Sequence, residues 1–364
     1  MPTRRLFLAR SAALGAGLAA GLPTRAGPGA DTPPGGEYLN HYTAEVQRAV
    51  DRGLVFLANT QNRDGSFGDA GRYQGNVAIT SLGALALMAG GHMPGRGAHG
   101  AAVFRALQYV LGREQRLPAG FFYNPSPFEK TGAMYSHGFA TLFLAEVYGM
   151  VPDAALQQKL KGAIERAVQL IINSQNSEGG WRYEPVPQHA DSSVTICQIM
   201  ALRAARNVGF FVPKGVADKC VKYVRSCQTA DGGFSYYSGQ GPSGFERSAA
   251  GVVALFCAGV YSGPEVERGL RYLMRHKPGG AGSGRTGGPD YYFYGQYYAA
   301  QAMWTAGPKY WNEWYPAIRD DLLSGFRHRA DGAWADPSIG NHYGTAMACI
   351  ILQIPNNYLP ILQK

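Results

Sequence analysis

The chain has 364 residues, of which 46% are hydrophobic, 12% aromatic and only 16% charged, against roughly 25% charged in ordinary soluble proteins. That composition, with 49 glycines, 22 prolines and five cysteines, excludes intrinsic disorder, which needs low hydrophobicity and much charge, as well as collagen and small disulfide-stapled scaffolds. The formal net charge is +9, yet Arg4, Arg5, Arg10 and Arg25 all precede the first acid, Asp31; the remainder is scattered without the basic stripe of a nucleic-acid binder, so nucleic acid is not an expected partner.

The chain opens on T-R-R-L-F-L-A-R over residues 3–10, then a Gly- and Ala-rich stretch to Leu22 and small residues to Ala30. A basic start, a short apolar run and small residues are the layout of a secretory signal, and Arg4–Arg5 followed by Leu6, Phe7 and Leu8 resembles the twin-arginine export motif. The apolar run is about 12 residues, short of the roughly 20 that a membrane-spanning helix needs. Residues 1–30 are therefore expected to be a twin-arginine-type signal peptide cleaved near Ala26 or Ala30, giving a periplasmic or otherwise extracytoplasmic protein. Residues 31–38, beginning D-T-P-P-G-G, read as a linker. Residues 39–364 read as one domain with no stable membrane span.

That domain repeats one unit. Q-N-R-D-G-S-F begins at Gln61, Q-N-S-E-G-G-W at Gln175, Q-T-A-D-G-G-F at Gln228 and R-H-R-A-D-G-A-W at Arg327. A degenerate copy, Q-R-L-P-A-G-F-F, runs from Gln115 to Phe122, and a further one is expected in the glycine-rich stretch from His276 to Tyr294. An amphipathic helix precedes each copy: Val46, Val50 and Leu57 share one face before Gln61, and Leu156, Leu160, Ile164, Ala167 and Ile171 share one before Gln175. The helices that follow are apolar all round, as over 79–89, 139–147, 194–205, 249–258 and 345–352. A helix with no polar face must be surrounded by protein.

Alternating wet-sided and dry helices predict an all-α double ring of about six helical hairpins, an (α/α)6 toroid with about twelve core helices, dry ones inside. The alternative, an open superhelix of helix pairs, would leave apolar ends uncovered. In the closed ring every inner helix begins at the same end of the barrel.

The Q-x-x-x-G-x-W/F repeat resembles the QW motif of squalene–hopene cyclases, and its spacing resembles the β subunits of protein prenyltransferases; the likeness spans about residues 40–360. It implies the α/α toroid of terpenoid cyclases. Cyclases of this kind carry a D-x-D-D acid cluster at the start of an inner helix, where this chain reads H-A-D-S-S-V-T, so that only Asp191 remains beside Ser192 and Ser193. The prenyltransferase zinc ligand lies in Y-H-T-C, where this chain has Tyr343, Gly344, Thr345 and Ala346. Neither a metal nor a cofactor is expected. Asp320–Asp321 reads as a solvated face, and the five cysteines as small core residues or, for Cys220 and Cys227, as partners too far apart to bridge.

What remains is a constellation at one mouth of the barrel. Asp191, Glu246 and His137 are the candidate catalytic residues. Tyr135, His189, Tyr183, Tyr236, Tyr294, His342 and Tyr343 are the candidate ligand-binding residues. Against these stand plain structural roles, an N-cap for Asp191 and hydrogen-bonded core positions for the histidines. Three functions remain open: an enzyme or binder for an apolar isoprenoid-like molecule held by aromatic faces, a carbohydrate-active enzyme using Asp191 with Glu246, and a non-catalytic cell-envelope binding module. The expected partner is thus an apolar small molecule or a glycan in the central cavity.

Overall fold

Residues 41–69, 71–151, 153–279, 291–325 and 327–363 are described by a computed structural model. The expected signal peptide and linker, and most of the glycine-rich sixth repeat, lie outside these residues.

Twelve helices alternate in two layers. The outer helices are α1 (Ala44–Thr60), α3 (Gly100–Leu111), α5 (Ala154–Ser174), α7 (Lys214–Ser226), α9 (Pro264–Met274) and α11 (Pro308–Ser324). The inner helices are α2 (Val77–Ala89), α4 (Ala133–Val147), α6 (Ser192–Asn207), α8 (Phe245–Cys257), α10 (Tyr292–Ala306) and α12 (Asn341–Gln353). Each inner helix packs on the next, and α12 returns to α2, so the ring is closed. The described residues contain isolated β-bridges and no strand, and no helix among them is long and apolar enough to cross a membrane. Burial follows the sequence pattern: in α1 it is Val46, Ala49, Val50, Gly53, Leu54 and Leu57 that are buried, whereas in α2 every residue except Ala78 is buried. All five cysteines are buried and free.

The repeat motif is the joint between hairpins. Gln61 Nε2 donates to Gly65 O (2.8 Å) within its turn and to Ala102 O (3.0 Å) in α3. Gln175 binds Gly179 O and Val216 O at 2.9 Å each, and Gln228 binds Gly232 O (3.1 Å) and Glu265 O (2.8 Å). The motif glycine has positive φ and lies against a backbone carbonyl of the next outer helix. A Cβ on Gly179 (φ +103°) would stand 2.2 Å from Lys219 O, and one on Gly332 (φ +91°) 2.8 Å from Arg52 O. Arg52 belongs to α1, so the last motif closes on the first helix.

The motif aromatics Phe67, Trp181, Phe234 and Trp334 are fully buried. Their backbone N–H groups donate to a hydroxyl early in the following inner helix: Thr80 (2.9 Å), Thr195 (3.1 Å), Ser248 (2.8 Å) and Thr345 (2.9 Å) respectively. Trp181 and Trp334 also donate from Nε1 to Ile171 O (2.7 Å) and Leu322 O (2.8 Å). The four motifs therefore occupy equivalent turns, and the degenerate fifth does too, since Phe122 N donates to the His137 ring at 3.3 Å. Gln115 differs: its amide bonds Arg113 O and Tyr123 O, beside its own turn.

At the opposite end the chain terminus crosses the barrel. Leu359, Ile361 and Leu362 are buried. Trp304 Nε1 donates to Leu362 O (3.0 Å), Arg203 Nη2 to Gln363 O (2.9 Å), and Ile361 N to Glu146 Oε2 (3.3 Å). Three inner helices thus hold this segment.

The joint predicts a specific cost. Gly179→Ala and Gly209→Ala both place alanine at positive φ, about 1–2 kcal/mol of backbone strain, but a Cβ on Gly209 has nothing within 4 Å. Urea unfolding should show Gly179→Ala losing at least about 1 kcal/mol more than Gly209→Ala; equal losses would remove the carbonyl contact from the account.

Candidate functional site

Six inner helices starting at one end concentrate unpaired N–H groups and positive dipole ends there. The chain satisfies them from the neighbouring hairpin. Met134 N of α4 donates to Tyr183 O (3.1 Å), and Ser192 N of α6 to Tyr236 O (3.0 Å). For α2 the acceptor is the Glu129 carboxylate, 3.3 Å from Val77 N. For α12 it is Asp69, reached by Asn341 N (2.7 Å) and His342 N (3.0 Å).

Asp191 is the N-cap of α6. Its Oδ1 accepts from Val194 N at 2.8 Å, while its Oδ2 is buried without a hydrogen-bond partner. The residue is 0% exposed. Burial pushes its carboxyl up to about 6, against the opposing pull of the Val194 N–H, the Arg182 charge and the Tyr236 hydroxyl. Around it the structure gathers four of the expected tyrosines. The Tyr183 and Tyr236 hydroxyls are 2.5 Å apart, the Tyr135 and Tyr183 ring centroids are 6.1 Å apart, and Tyr294 donates to Ser193 O at 3.0 Å. Burial keeps the Tyr135 and Tyr294 hydroxyls protonated well above the usual tyrosine range.

Rings continue from this cluster into the barrel. Tyr294 meets Tyr298 edge-on at 4.9 Å, Tyr298 meets Tyr297 at 4.9 Å, and Tyr297 meets Phe139 at 6.3 Å. The Tyr298 hydroxyl lies 3.4 Å from Cys197 Sγ. Tyr343 is buried in α12 with its ring edge-on to Phe293 at 6.3 Å.

The remaining candidates have partners of their own or face solvent. His137 takes the place that a hydroxyl holds in the other motifs; its Nδ1 accepts from Phe122 N, and its Nε2 lies 3.3 Å from Ala167 O of α5. Burial lowers it to about 3, so the ring is neutral and anchored to backbone on both sides. His342 joins the last hairpin to the first: Nδ1 is 3.0 Å from Asp69 Oδ1 and Nε2 is 2.9 Å from Thr60 Oγ1. Burial alone would raise the Asp69 carboxyl, but bonds from the His342 ring and the Asn341 and His342 N–H groups outweigh it and hold it at about 2. His189 is exposed in the loop before α6. Glu246 is partly exposed and its stem lies against Gly295 of α10, where an added Cβ would stand 3.2 Å from Glu246 Cγ.

Sequence reasoning missed Glu129. Ser126 caps the single turn Pro127–Lys130, accepting from Glu129 N at 3.2 Å, and S-P-F-E is a readable capping-box pattern. The carboxylate leaves that box, however, and accepts from Asn124 N (3.0 Å) and Val77 N instead. Burial pushes it up to about 7. No three His, Cys, Asp or Glu side chains converge as metal ligands among the described residues.

Comparison with known proteins agrees with this architecture. The family model of the prenyltransferase alpha-alpha toroid domain matches residues 128–290. No curated protein matches the sequence. Among solved structures, the type II terpene cyclase MstE from Scytonema is 15% identical with a TM-score of 0.55, covering 87% of this chain and 100% of that one. An inactive α-1,6-mannanase variant from Salegentibacter, bound to α-1,6-mannotriose, is 10% identical with a TM-score of 0.60 over 86% of this chain and 99% of that one. Cellobiose 2-epimerase from Bacillus thermoamylovorans is 13% identical with a TM-score of 0.62 over 87% of this chain and 100% of that one. At such identities the likeness is one of fold, which hosts unrelated chemistries. The chain folds as an α/α toroid and is similar over residues 128–290 to the prenyltransferase alpha-alpha toroid domain.

Proposed function

We propose that the protein binds an apolar, isoprenoid-like small molecule through its aromatic mouth, with Asp191 acting on it as a general acid. The observation that carries this reading is a fully buried carboxyl with one oxygen unpaired, raised to about 6 and ringed by tyrosines. The exposed cap Asp153, by contrast, has its second oxygen open to water. The rings from Tyr294 to Phe139 supply faces that accommodate apolar chains and stabilise cationic character. A carboxyl near 6 suits proton donation to an oxygen-activated group better than to a bare alkene, which fits the absence of flanking aspartates. One MstE structure holds geranylgeranyl dihydroxybenzoate as substrate, a precedent for such ligands in this fold. A glycosidase would need a second carboxylate facing the first, whereas the stem of Glu246 leans on Gly295 of α10. We also propose that the chain is exported through the twin-arginine route, on the Arg4–Arg5 motif alone.

Titration of the purified chain with farnesol, alongside manno- and cello-oligosaccharides, tests the ligand class; binding of the sugars in place of farnesol would favour the carbohydrate reading. Asp191→Asn keeps the cap and should weaken binding or turnover at least tenfold, about 1.4 kcal/mol. Asp191→Ala should in addition destabilise by about 1 kcal/mol. An Asp191→Asn protein that binds and turns over like the parent would leave Asp191 only a cap.

The raised carboxyls also set a pH dependence. Asp191 near 6 and Glu129 near 7 hold protons more tightly folded than unfolded, where they titrate near 3.8 and 4.5. Their contribution is therefore full below the unfolded values and lost as pH rises through the folded ones. Thermal melts of Asp191→Asn and Glu129→Gln should accordingly gain on the parent between about pH 4 and pH 8; a gap that stays constant with pH would refute the shifts. Export is checked by replacing Arg4 and Arg5 with lysine, which should strand the protein in the cytoplasm.

A further inference from the structure

The motif that closes the ring differs from the others in one side chain. Gln61, Gln175 and Gln228 each stand four residues before the motif glycine, and in the last motif His328 stands there, before Gly332. Each glutamine amide reaches a carbonyl three residues before the one that its glycine touches: Ala102 before Arg105, Val216 before Lys219, Glu265 before Arg268. The matching carbonyl at the closing joint is that of Ala49, three residues before Arg52. The next helix also returns a bond to two of the glutamines, from Arg105 Nη2 to Gln61 Oε1 (2.5 Å) and from Arg268 Nη2 to Gln228 Oε1 (2.7 Å).

His328 supplies neither bond. Its ring stacks on Trp334, with centroids 4.3 Å apart and planes 9° from parallel. Nδ1 lies 3.4 Å from Leu323 O, so the single proton of the neutral imidazole belongs on Nδ1. Burial holds the ring below the usual histidine range, with the Arg52 charge adding to the effect against Leu323 O and Asp331. Nε2 is then an acceptor, buried and without a partner. It has no hydrogen for Gly332 O or Ala49 O, and the ring has no amide oxygen for Arg52.

A groove of about 520 Å³ lies here, with His328 and Leu323 on one side and Ala49 and Arg52 of α1 on the other. The degenerate second motif also lacks the amide bridge, but there Arg166 forks onto Glu114 at 2.5 and 2.8 Å. No ion pair holds α1 among the described residues. Outside the groove, its ties are Arg319 Nη1 to His41 O (3.2 Å), just before the helix, and His342 to Thr60 at its last residue (2.9 Å).

We infer that the toroid opens at this seam: α1 swings away from α11 and the last motif while the other outer helices stay docked. Because α1 packs on α12 and α2, its departure bares flanks of two dry inner helices, apolar surface that closure keeps from water. Histidine in place of the motif glutamine sets how easily this door moves.

Hydrogen–deuterium exchange of the purified chain at neutral pH, read by mass spectrometry, tests the seam. Amides of α1 from Val50 to Leu57, beyond its first turn, should exchange at least about tenfold faster than those of α7 and α9, which Gln175 and Gln228 dock. His328→Gln restores the amide and should slow α1 at least about threefold while leaving α7 unchanged. The reciprocal Gln228→His should speed α9 by a similar factor. Exchange of α1 as slow as that of α7 and α9 overturns the inference. Fast α1 exchange that His328→Gln leaves unchanged also overturns it, since that is fraying from the start of the domain. Should His328→Gln fail to fold, Gln228→His decides: faster α9 exchange supports the seam, and unchanged α9 exchange overturns it.

Discussion

Among the described residues a backbone carbonyl of five of the six outer helices rests against the glycine of the preceding motif turn, and the ring depends on that contact. Because both partners are main chain, the spacing between hairpins does not vary with side-chain choice. Gly179 against Lys219 and Gly332 against Arg52 use the same geometry at opposite ends of the sequence. The motif glutamine reinforces it by bonding the turn and the next helix with one amide. Repetition of this joint around the ring brings the last motif onto the first helix, and closure then buries the inner helices on every side.

Closure has an electrostatic consequence. Inner helices that all start at one end place their positive dipole ends side by side, and acceptors are needed there. Asp69, Glu129 and Asp191 all serve, but their surroundings send them in opposite directions. Asp69 collects an imidazole and two backbone donors and falls to about 2. Asp191 has one close backbone bond, an unpaired oxygen and aromatic walls, and rises to about 6. The same structural demand therefore produces a low-lying carboxylate clamp at one hairpin and a raised carboxyl at another.

The likeness to a terpene cyclase, a mannanase and an epimerase fits this division of labour. The double ring carries the fold, and one fold hosts unrelated chemistries. In this chain Ser192 and Ser193 stand beside the single aspartate at the start of α6, and Gly344 of α12 lies too close to Trp334 O for any Cβ. A packing requirement therefore keeps glycine at that position.

The sequence by itself determined the hairpin count, the alternation of wet and dry helices and the motif joints, because burial period and turn glycines are local properties written within ten to twenty residues. Asp191 as a cap was readable for the same reason. Which mouth residues meet was decided only by tertiary structure. His137, Asp191, Glu246 and His342 all lie near the start of an inner helix, yet one anchors a motif, one faces the tyrosines, one leans on Gly295 and one clasps Asp69. One residue of offset turns a side chain about 100° around a helix, and the rotation of each helix is set by its neighbours from distant hairpins. Glu129 shows the limit most directly: its local pattern says capping box, but Val77, 52 residues away, supplies the donor that its carboxylate accepts.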